Sequence, residues 1–371
     1  MKIVFTTDQI YLHGGIEKVM ATKANYFADV LKYEVYILTT EQQNNNPCYE
    51  LSSKIKFVDL GVNYSRSKSY FSFVNLKKVV SHFRKWYSAI KSIQPDAIIV
   101  CNLSFDFYWT PFFHKKVKKI KEFHASRFFT EIARNKVSSL KKINFIINDF
   151  IESKYDKLVL LNNDEKKYYR SNNLVVIPNP IIFDTELAAP LISSKAIAAG
   201  RIAPVKGFEN AIKSWKIVVD KHPDWQLDIF GQGEKEYIDE LKEIIKQNNL
   251  EENVFINNAV SNLQEKLLEF SLYIMTSKTE CFPMILLESL QVGLPIVSFD
   301  CPYGPRNIIA DNEDGFLVEN QNNFQFAEKV NCLIENKSLR KKMGQNGKVN
   351  VKRFSVEDVA VKWVEVLNSS M

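Results

Sequence analysis

Short apolar runs of strand length alternate with amphipathic helical patterns along almost all of this 371-residue chain, and few folds satisfy that alternation. In the front part Ile3 to Phe5, Val35 to Leu38, Ala97 to Val100, Lys157 to Leu160 and Val175 to Ile177 read as strands, with helices over about Ile16 to Leu31 and Leu76 to Ile93. Runs rich in Val, Ile and Leu, separated by helices, call for parallel strands buried on both faces with the helices outside. Pro178-Asn179-Pro180 then interrupts regular structure, because proline lacks a donor and restricts the residue before it. Beyond it the pattern restarts, with strands at Ala196 to Ala199, Gln226 to Phe230, Val254 to Ile256, Leu272 to Met275, Ile296 to Phe299 and Phe316 to Val318. Helical patterns cover about Phe208 to Val219, Glu234 to Gln247 and Leu263 to Phe270, and three more helices close the chain at Phe324 to Leu333, Ser338 to Val351 and Val356 to Leu367. Two Rossmann-like α/β domains are expected, 1–180 and 181–355, with the last helix, about 356–371, packing back on the first.

Composition excludes several classes. A chain with 46% hydrophobic and 25% charged residues is a folded one, long enough for two cores. No apolar run approaches the roughly 20 residues that span a bilayer, and Met1-Lys2 leads straight into a strand pattern, so a cytoplasmic location is expected. The cysteines Cys48, Cys101, Cys281, Cys301 and Cys332 are odd in number and contain no C-x-x-C pair, which fits a reducing compartment. Charge is unevenly spread: residues 1–180 carry 28 Lys+Arg against 16 Asp+Glu, a net +12, while 181–371 carry 21 against 27, a net −6.

In an open parallel sheet, ligands bind beyond the carboxyl ends of the strands, so the loops there are the candidate sites. His13-Gly14-Gly15-Ile16-Glu17 follows the first strand, and its glycines allow a ligand to approach the N–H groups of a starting helix. Gly200-Arg201-Ile202-Ala203-Pro204-Val205-Lys206-Gly207 places two cations five residues apart ahead of a helix, a pattern that can neutralise a diphosphate. Phe230-Gly231-Gln232-Gly233-Glu234 lacks the third glycine of a dinucleotide fingerprint and reads as backbone clearance. His124 follows a strand-like run, and a lone histidine there is more often a satisfied structural group than a catalyst unless other residues place it in a cleft. In Thr279-Glu280-Cys281-Phe282-Pro283-Met284-Ile285-Leu286-Leu287-Glu288, Pro283 falls near the first turn of an apolar helix. There Glu280 sits on the loop and Glu288 about one turn inside, so the two acids can reach different ends of one phosphorylated, hydroxyl-rich ligand.

Taken in order, Gly14-Gly15-Ile16-Glu17, His124, Val176-Ile177-Pro178-Asn179-Pro180, Gly200-Arg201 with Lys206-Gly207, Glu280-x7-Glu288, Gly293-x-Pro295 and Asp314-Gly315-Phe316-Leu317 resemble the motif set of the retaining glycosyltransferases of family 4. The resemblance runs over almost the whole chain. It implies the GT-B fold, two Rossmann-like domains facing each other across a cleft, with a nucleotide-diphosphate sugar held by the C-terminal domain and a glycan or lipid-linked acceptor by the N-terminal one. Carried over residue by residue, Arg201 and Lys206 would bind the donor diphosphate, Glu288 the ribose hydroxyls, and Glu280 would act near the donor sugar. Backbone groups at Phe282, Pro283 and Met284 would face sugar and phosphate, Gly15 would admit the phosphate, and His124 would lie beside the sugar hydroxymethyl group. The family usually has glycine where this chain has Cys281, and a left-handed backbone there would be strained by a Cβ. The Cys301 to Ile309 segment is similar to that of members assembling bacterial surface polysaccharides, which favours UDP-hexoses.

No D-x-D pair occurs in the chain, so positive side chains and a helix terminus are expected to carry the diphosphate charge without metal or other cofactor. An NAD-dependent oxidoreductase would need G-x-G-x-x-G at the first strand, which His13-Gly14-Gly15 does not supply. An epimerase or phosphorylase of the same fold stays open. A non-enzymatic basic binding module is allowed by the charge of the front half, but no RNA-binding or helix-turn-helix signature accompanies it, and nucleic acid is not expected. Basic residues on the Asn75 to Ile93 helix, with His114-Lys115-Lys116-Val117-Lys118-Lys119 as a second cluster, instead suggest peripheral docking on an anionic membrane surface.

Overall fold

The computed structural model describes residues 1–102, 104–136, 139–183, 188–260 and 262–369. The chain divides into two compact units, Met1–Pro180 together with Val356–Met371, and Ile181–Ser355.

The first unit holds a seven-stranded parallel sheet of β1 (Lys2–Thr7), β2 (Glu34–Thr39), β3 (Lys56–Asp59), β4 (Ala97–Val100), β5 (Lys118–Glu122), β6 (Lys157–Leu160) and β7 (Leu174–Val176). Their spatial order is β3-β2-β1-β4-β5-β6-β7. The sheet is flanked by α1 (Gly15–Asp29), α2 (Phe73–Ile93), the short α3 (Asp106–Trp109), α4 (Phe128–Lys136) and α5 (Ser139–Glu152). Ile3, Phe5, Val35, Ile37, Ile99 and Ile120 pack to one face with Phe27 of α1, while Val4, Leu38, Ile98 and Val100 meet Trp86 and Ile90 of α2 on the other. Alternate residues of one strand thus serve two cores, as a doubly covered sheet requires.

The pattern of charges hid β5. Lys118 and Lys119, expected as part of a basic surface cluster, are each only 5% exposed because Lys-Lys-Ile-Lys-Glu forms a strand between β4 and β6; Lys115 and Lys116, just before it, are exposed. Three of the buried charges on the strand, those of Lys118, Lys121 and Glu122, find close partners. Lys118 Nζ donates to the carbonyl of Val366 at 2.8 Å and to Ser369 Oγ at 3.1 Å, at the end of the C-terminal helix α12 (Val356–Asn368). There the outward carbonyls and the helix dipole favour a cation. Lys121 Nζ donates to the carbonyls of Val100 and Asn102 at 3.1 and 3.0 Å, and Glu122 forms a buried ion pair with Lys23 of α1. α12 also buries Val359, Trp363, Val366 and Leu367 in the core beneath α1, with Trp363 edge-on to Phe27. β3, α4 and α5 are further elements not assigned from the sequence pattern.

The second unit holds a six-stranded parallel sheet of β8 (Lys195–Ala199), β9 (Gln226–Phe230), β10 (Val254–Asn257), β11 (Leu272–Met275), β12 (Ile296–Phe299) and β13 (Gly315–Val318), in the order β10-β9-β8-β11-β12-β13. Its helices are α6 (Phe208–Lys221), α7 (Lys235–Gln247), α8 (Leu263–Leu267), α9 (Met284–Gln291), α10 (Asn323–Glu335) and α11 (Lys337–Asn350). The first strand of each sheet lies between the second and the fourth, so the chain reverses its direction of progress beside β1 and β4 in one unit and beside β8 and β11 in the other. A crevice for ligands opens at the carboxyl ends of strands flanking such a reversal. The two units are Rossmann-like, and the fold is GT-B.

Candidate active site

In the second unit, the loops leaving β8 and β11 are fastened to one another. Gly207 has φ +64, and a Cβ there would lie 2.2 Å from the carbonyl oxygen of Thr276, so glycine is needed both for the left-handed turn and for the close approach. Thr276 Oγ1 donates to the Gly207 carbonyl at 2.9 Å, and the Lys278 N–H to the Val205 carbonyl at 2.8 Å. The Gly231-Gln232-Gly233 turn closes the other side: Cβ atoms at Gly231 and Gly233 would meet the carbonyls of Gly200 and Ile202 at 1.9 and 2.0 Å. Clearance is therefore what those glycines provide.

This fastening brings the long-range pair together. Lys206 Nζ lies 2.6 Å from Glu280 Oε1, which also accepts from Ser277 Oγ at 2.7 Å. The Glu280 backbone is pinned in turn by the 301–304 segment: its N–H donates to the Pro302 carbonyl at 3.1 Å, and its carbonyl accepts from Tyr303 and Gly304, each at 3.0 Å. Pro283 is the N-cap of α9, with no side-chain cap hydrogen bond, and Met284 is the first helical residue, so the helix mouth keeps the donor character that favours an anion. Glu288, about one turn inside α9, is buried. Tyr273 of β11 donates to the Ala199 carbonyl at 3.2 Å; burial raises its phenol above the ordinary range, and the nearby Glu280 and Glu288 charges add to the rise. Arg201 is exposed on the same loop as Lys206, with no hydrogen bond or ion pair to it among the described residues.

Cys281 does not meet the condition for strain, a left-handed backbone: its φ is not positive, and its side chain is buried. Without a positive φ, the loop accepts a Cβ at that position. Phe282, also buried, sets its ring edge-on to Phe354 at 5.4 Å.

In the first unit, His124 stands just past β5 with its Nε2 3.7 Å from Glu122 Oε2, and among the described residues its buried Nδ1 has no hydrogen-bond partner. Burial lowers its pKa, against the pull of Glu122. Burial pushes Glu122 up, but Lys23 and His124 outweigh it and hold the carboxyl below the usual range. Ser277 and Glu122 were not singled out in the sequence. Glu122 precedes His124 by two residues, the spacing that shares one face of a strand, but the charged run concealed the strand. Gly15 is the first residue of α1, which has no side-chain cap, and Glu17 in that turn accepts from Gln9 Nε2 at 2.7 Å. Among the described residues no group of three or more His, Cys, Asp or Glu side chains could hold a metal ion, and no helix is long and apolar enough to cross a membrane.

Comparison with known proteins agrees with this architecture. Residues 186–350, less than half of the chain, match the model of the family described as glycosyl transferases group 1. An uncharacterized glycosyltransferase of Haemophilus influenzae is 27% identical over 373 residues, 99% of each chain. The poly(ribitol-phosphate) alpha-N-acetylglucosaminyltransferase of Staphylococcus aureus is 29% identical over 267 residues, 69% of this chain and 52% of that protein. The crystal structure of Anabaena HepE in complex with UDP superposes with a TM-score of 0.76 at 16% identity, covering 100% of both chains. Fold and matches together support a GT-B glycosyltransferase.

Proposed function

We propose that this protein transfers a hexose or N-acetylhexosamine, with retention, from a nucleotide-diphosphate sugar, UDP-linked, to a hydroxyl of a growing lipid-linked glycan in bacterial surface polysaccharide synthesis. One observation carries the reading: Lys206 paired with Glu280 at the mouth of the uncapped helix α9, with Glu288 about one turn inside. A cation beside a helix N-terminus suits the diphosphate of a donor and the charge that develops as it departs. Arg201, exposed on the same loop, adds a second positive group for that charge. Glu288 is assigned to the ribose hydroxyls, Glu280 to the reacting sugar, and His124 and Gly15 to the sugar and phosphate groups that the first domain meets.

Retention is supported by the alpha linkage named for the Staphylococcus aureus relative, since common UDP-hexoses are themselves α-linked. UDP is supported by the nucleotide in the HepE complex. The reading takes no metal, because the chain lacks D-x-D and carries Arg201 and Lys206 instead. It also places the protein peripherally on the cytoplasmic face of a membrane, where a lipid-linked acceptor is found. A thermal-shift panel tests donor binding: UDP and UDP-sugars should raise the melting temperature, with Lys206→Ala removing the rise and a chelator leaving it unchanged. A panel in which no nucleotide diphosphate stabilises the folded protein would refute the donor assignment.

A further inference from the structure

Helix α5 turns apolar side chains toward water. Ile143, Ile146, Ile147 and Phe150 recur at i, i+3, i+4 and i+7, the spacing of one helix face, and they are 49, 60, 45 and 53% exposed. The opposite side of the helix does the packing, with Glu152 buried and paired to Arg127, while Ile151 in the core and Asp149 paired to Arg134 hold its two flanks. An outward apolar stripe on a helix whose inward side is already packed is not explained by the fold.

Helix α2 repeats the arrangement. Trp86 and Ile90 face the sheet, while Phe73, Leu76 and Val80 stand out to solvent on the other side. Lys77 and Arg84 share that outer face, Lys77 lying 4.4 Å from the centre of the Phe73 ring. From Gly61 to Pro95 the chain holds no acidic residue.

The two stripes belong to one surface. Tyr87 of α2 contacts the rings of Phe113 and His114, and the neighbouring Phe112 stacks on Phe150 of α5 at 6.3 Å. Lys115 and Lys116 project from the loop between them.

We infer that the outer surface formed by α2, the 110–116 loop and α5 docks on an anionic lipid bilayer. An exposed apolar area of this kind marks an interaction surface, and its chemistry selects the partner. Lysines are depleted from the centres of protein interfaces, whereas here Lys77 lies within the stripe. Long cationic side chains beside inserted aromatic and aliphatic ones suit a headgroup boundary, where the stems stay apolar and the charges reach phosphate. Anionic lipid also complements a surface whose neighbouring acids, Asp149 and Glu131, are already paired with arginines. The inference deepens the peripheral placement in the proposed function and is independent of the transferase chemistry.

Vesicle co-sedimentation tests it, using the full chain with phosphatidylcholine vesicles and with vesicles containing phosphatidylglycerol. Wild type should bind the anionic vesicles at low salt, more weakly at high salt, and neutral ones poorly. The variant Ile143→Ser, Ile146→Ser, Ile147→Ser and the variant Lys77→Ser, Lys115→Ser, Lys116→Ser should each lose binding by about tenfold or more, a size set by removal of several inserted or charged groups. All six positions are exposed, so melting temperatures should stay unchanged. Wild-type binding that both folded variants retain would overturn this surface while leaving the peripheral reading intact. Absence of wild-type binding to anionic vesicles would overturn both. Loss of a wild-type dimer in the apolar variant, seen by analytical ultracentrifugation without vesicle binding, would assign the surface to a second copy of the chain instead.

Discussion

Lys206 and Glu280, 74 residues apart in sequence, form a 2.6 Å ion pair that joins the loop after β8 to the loop after β11. These strands are neighbours in the sheet, so the pair spans the point at which the chain reverses direction and where such a fold receives its ligand.

Lys206→Ala removes the charge assigned to the departing diphosphate and strips Glu280 of its cation. Turnover should fall by ~10²-fold or more, the size seen when one preorganised group facing transition-state charge is lost. Arg201→Ala should give a similar loss with an unchanged melting temperature, because Arg201 is exposed. Initial rates and thermal melts on the same samples check both; normal rates in the two folded variants would remove the diphosphate assignment.

The two glutamates should separate kinetically. Glu288→Gln is expected to raise the donor KM by roughly tenfold with a smaller change in kcat, whereas Glu280→Gln should depress kcat by ~10²-fold, because only the latter is assigned to the reacting sugar. Steady-state kinetics over a range of donor concentrations distinguishes this split from a common effect on stability.

Much of the second unit was legible from its sequence. β9, β11 and β12 begin and end where their apolar runs do, and the seven residues between Glu280 and Glu288 place one acid before α9 and one inside it. β5 was illegible for a physical reason. Its lysines and glutamate read as solvated, and what makes them tolerable is distant: the carbonyls ending α12 for Lys118, Lys23 for Glu122, and the main chain after β4 for Lys121. No local period encodes such partners. The outward stripe of α5 has the opposite character, since its spacing is helical but only the structure shows which side is packed. Cys281 illustrates a third case: a Cβ there would be strained only in a left-handed backbone, and the sequence does not tell which backbone the loop adopts, whereas the structure shows no positive φ.

Asp106 gives a prediction for stability against pH. It is buried at the start of α3, and burial pushes its carboxyl up from 3.8 to about 6, with the Asp8 charge adding and Thr6 and Lys121 opposing. The folded protein therefore keeps a proton that the unfolded chain has lost between those values, so this group's contribution becomes less favourable as the pH rises through that window. Asp106→Asn, which cannot ionise, should raise the melting temperature more at neutral pH than near pH ~4, by several degrees of difference if one buried charge is relieved. An equal effect at both pH values would place the ionisation elsewhere.

In the proposed transfer, the Lys206–Glu280 centre breaks the bond between a sugar and a nucleotide diphosphate on one face of the sugar. Following UDP-glucose, UDP-galactose and UDP-N-acetylglucosamine by proton NMR, with purified protein and no acceptor, reads both the cleavage and its stereochemistry. UDP should be released from at least one of these, with the α-anomer of the free sugar appearing first and equilibrating later. Initial appearance of the β-anomer, or no UDP released from any of them by protein that UDP stabilises, would contradict it.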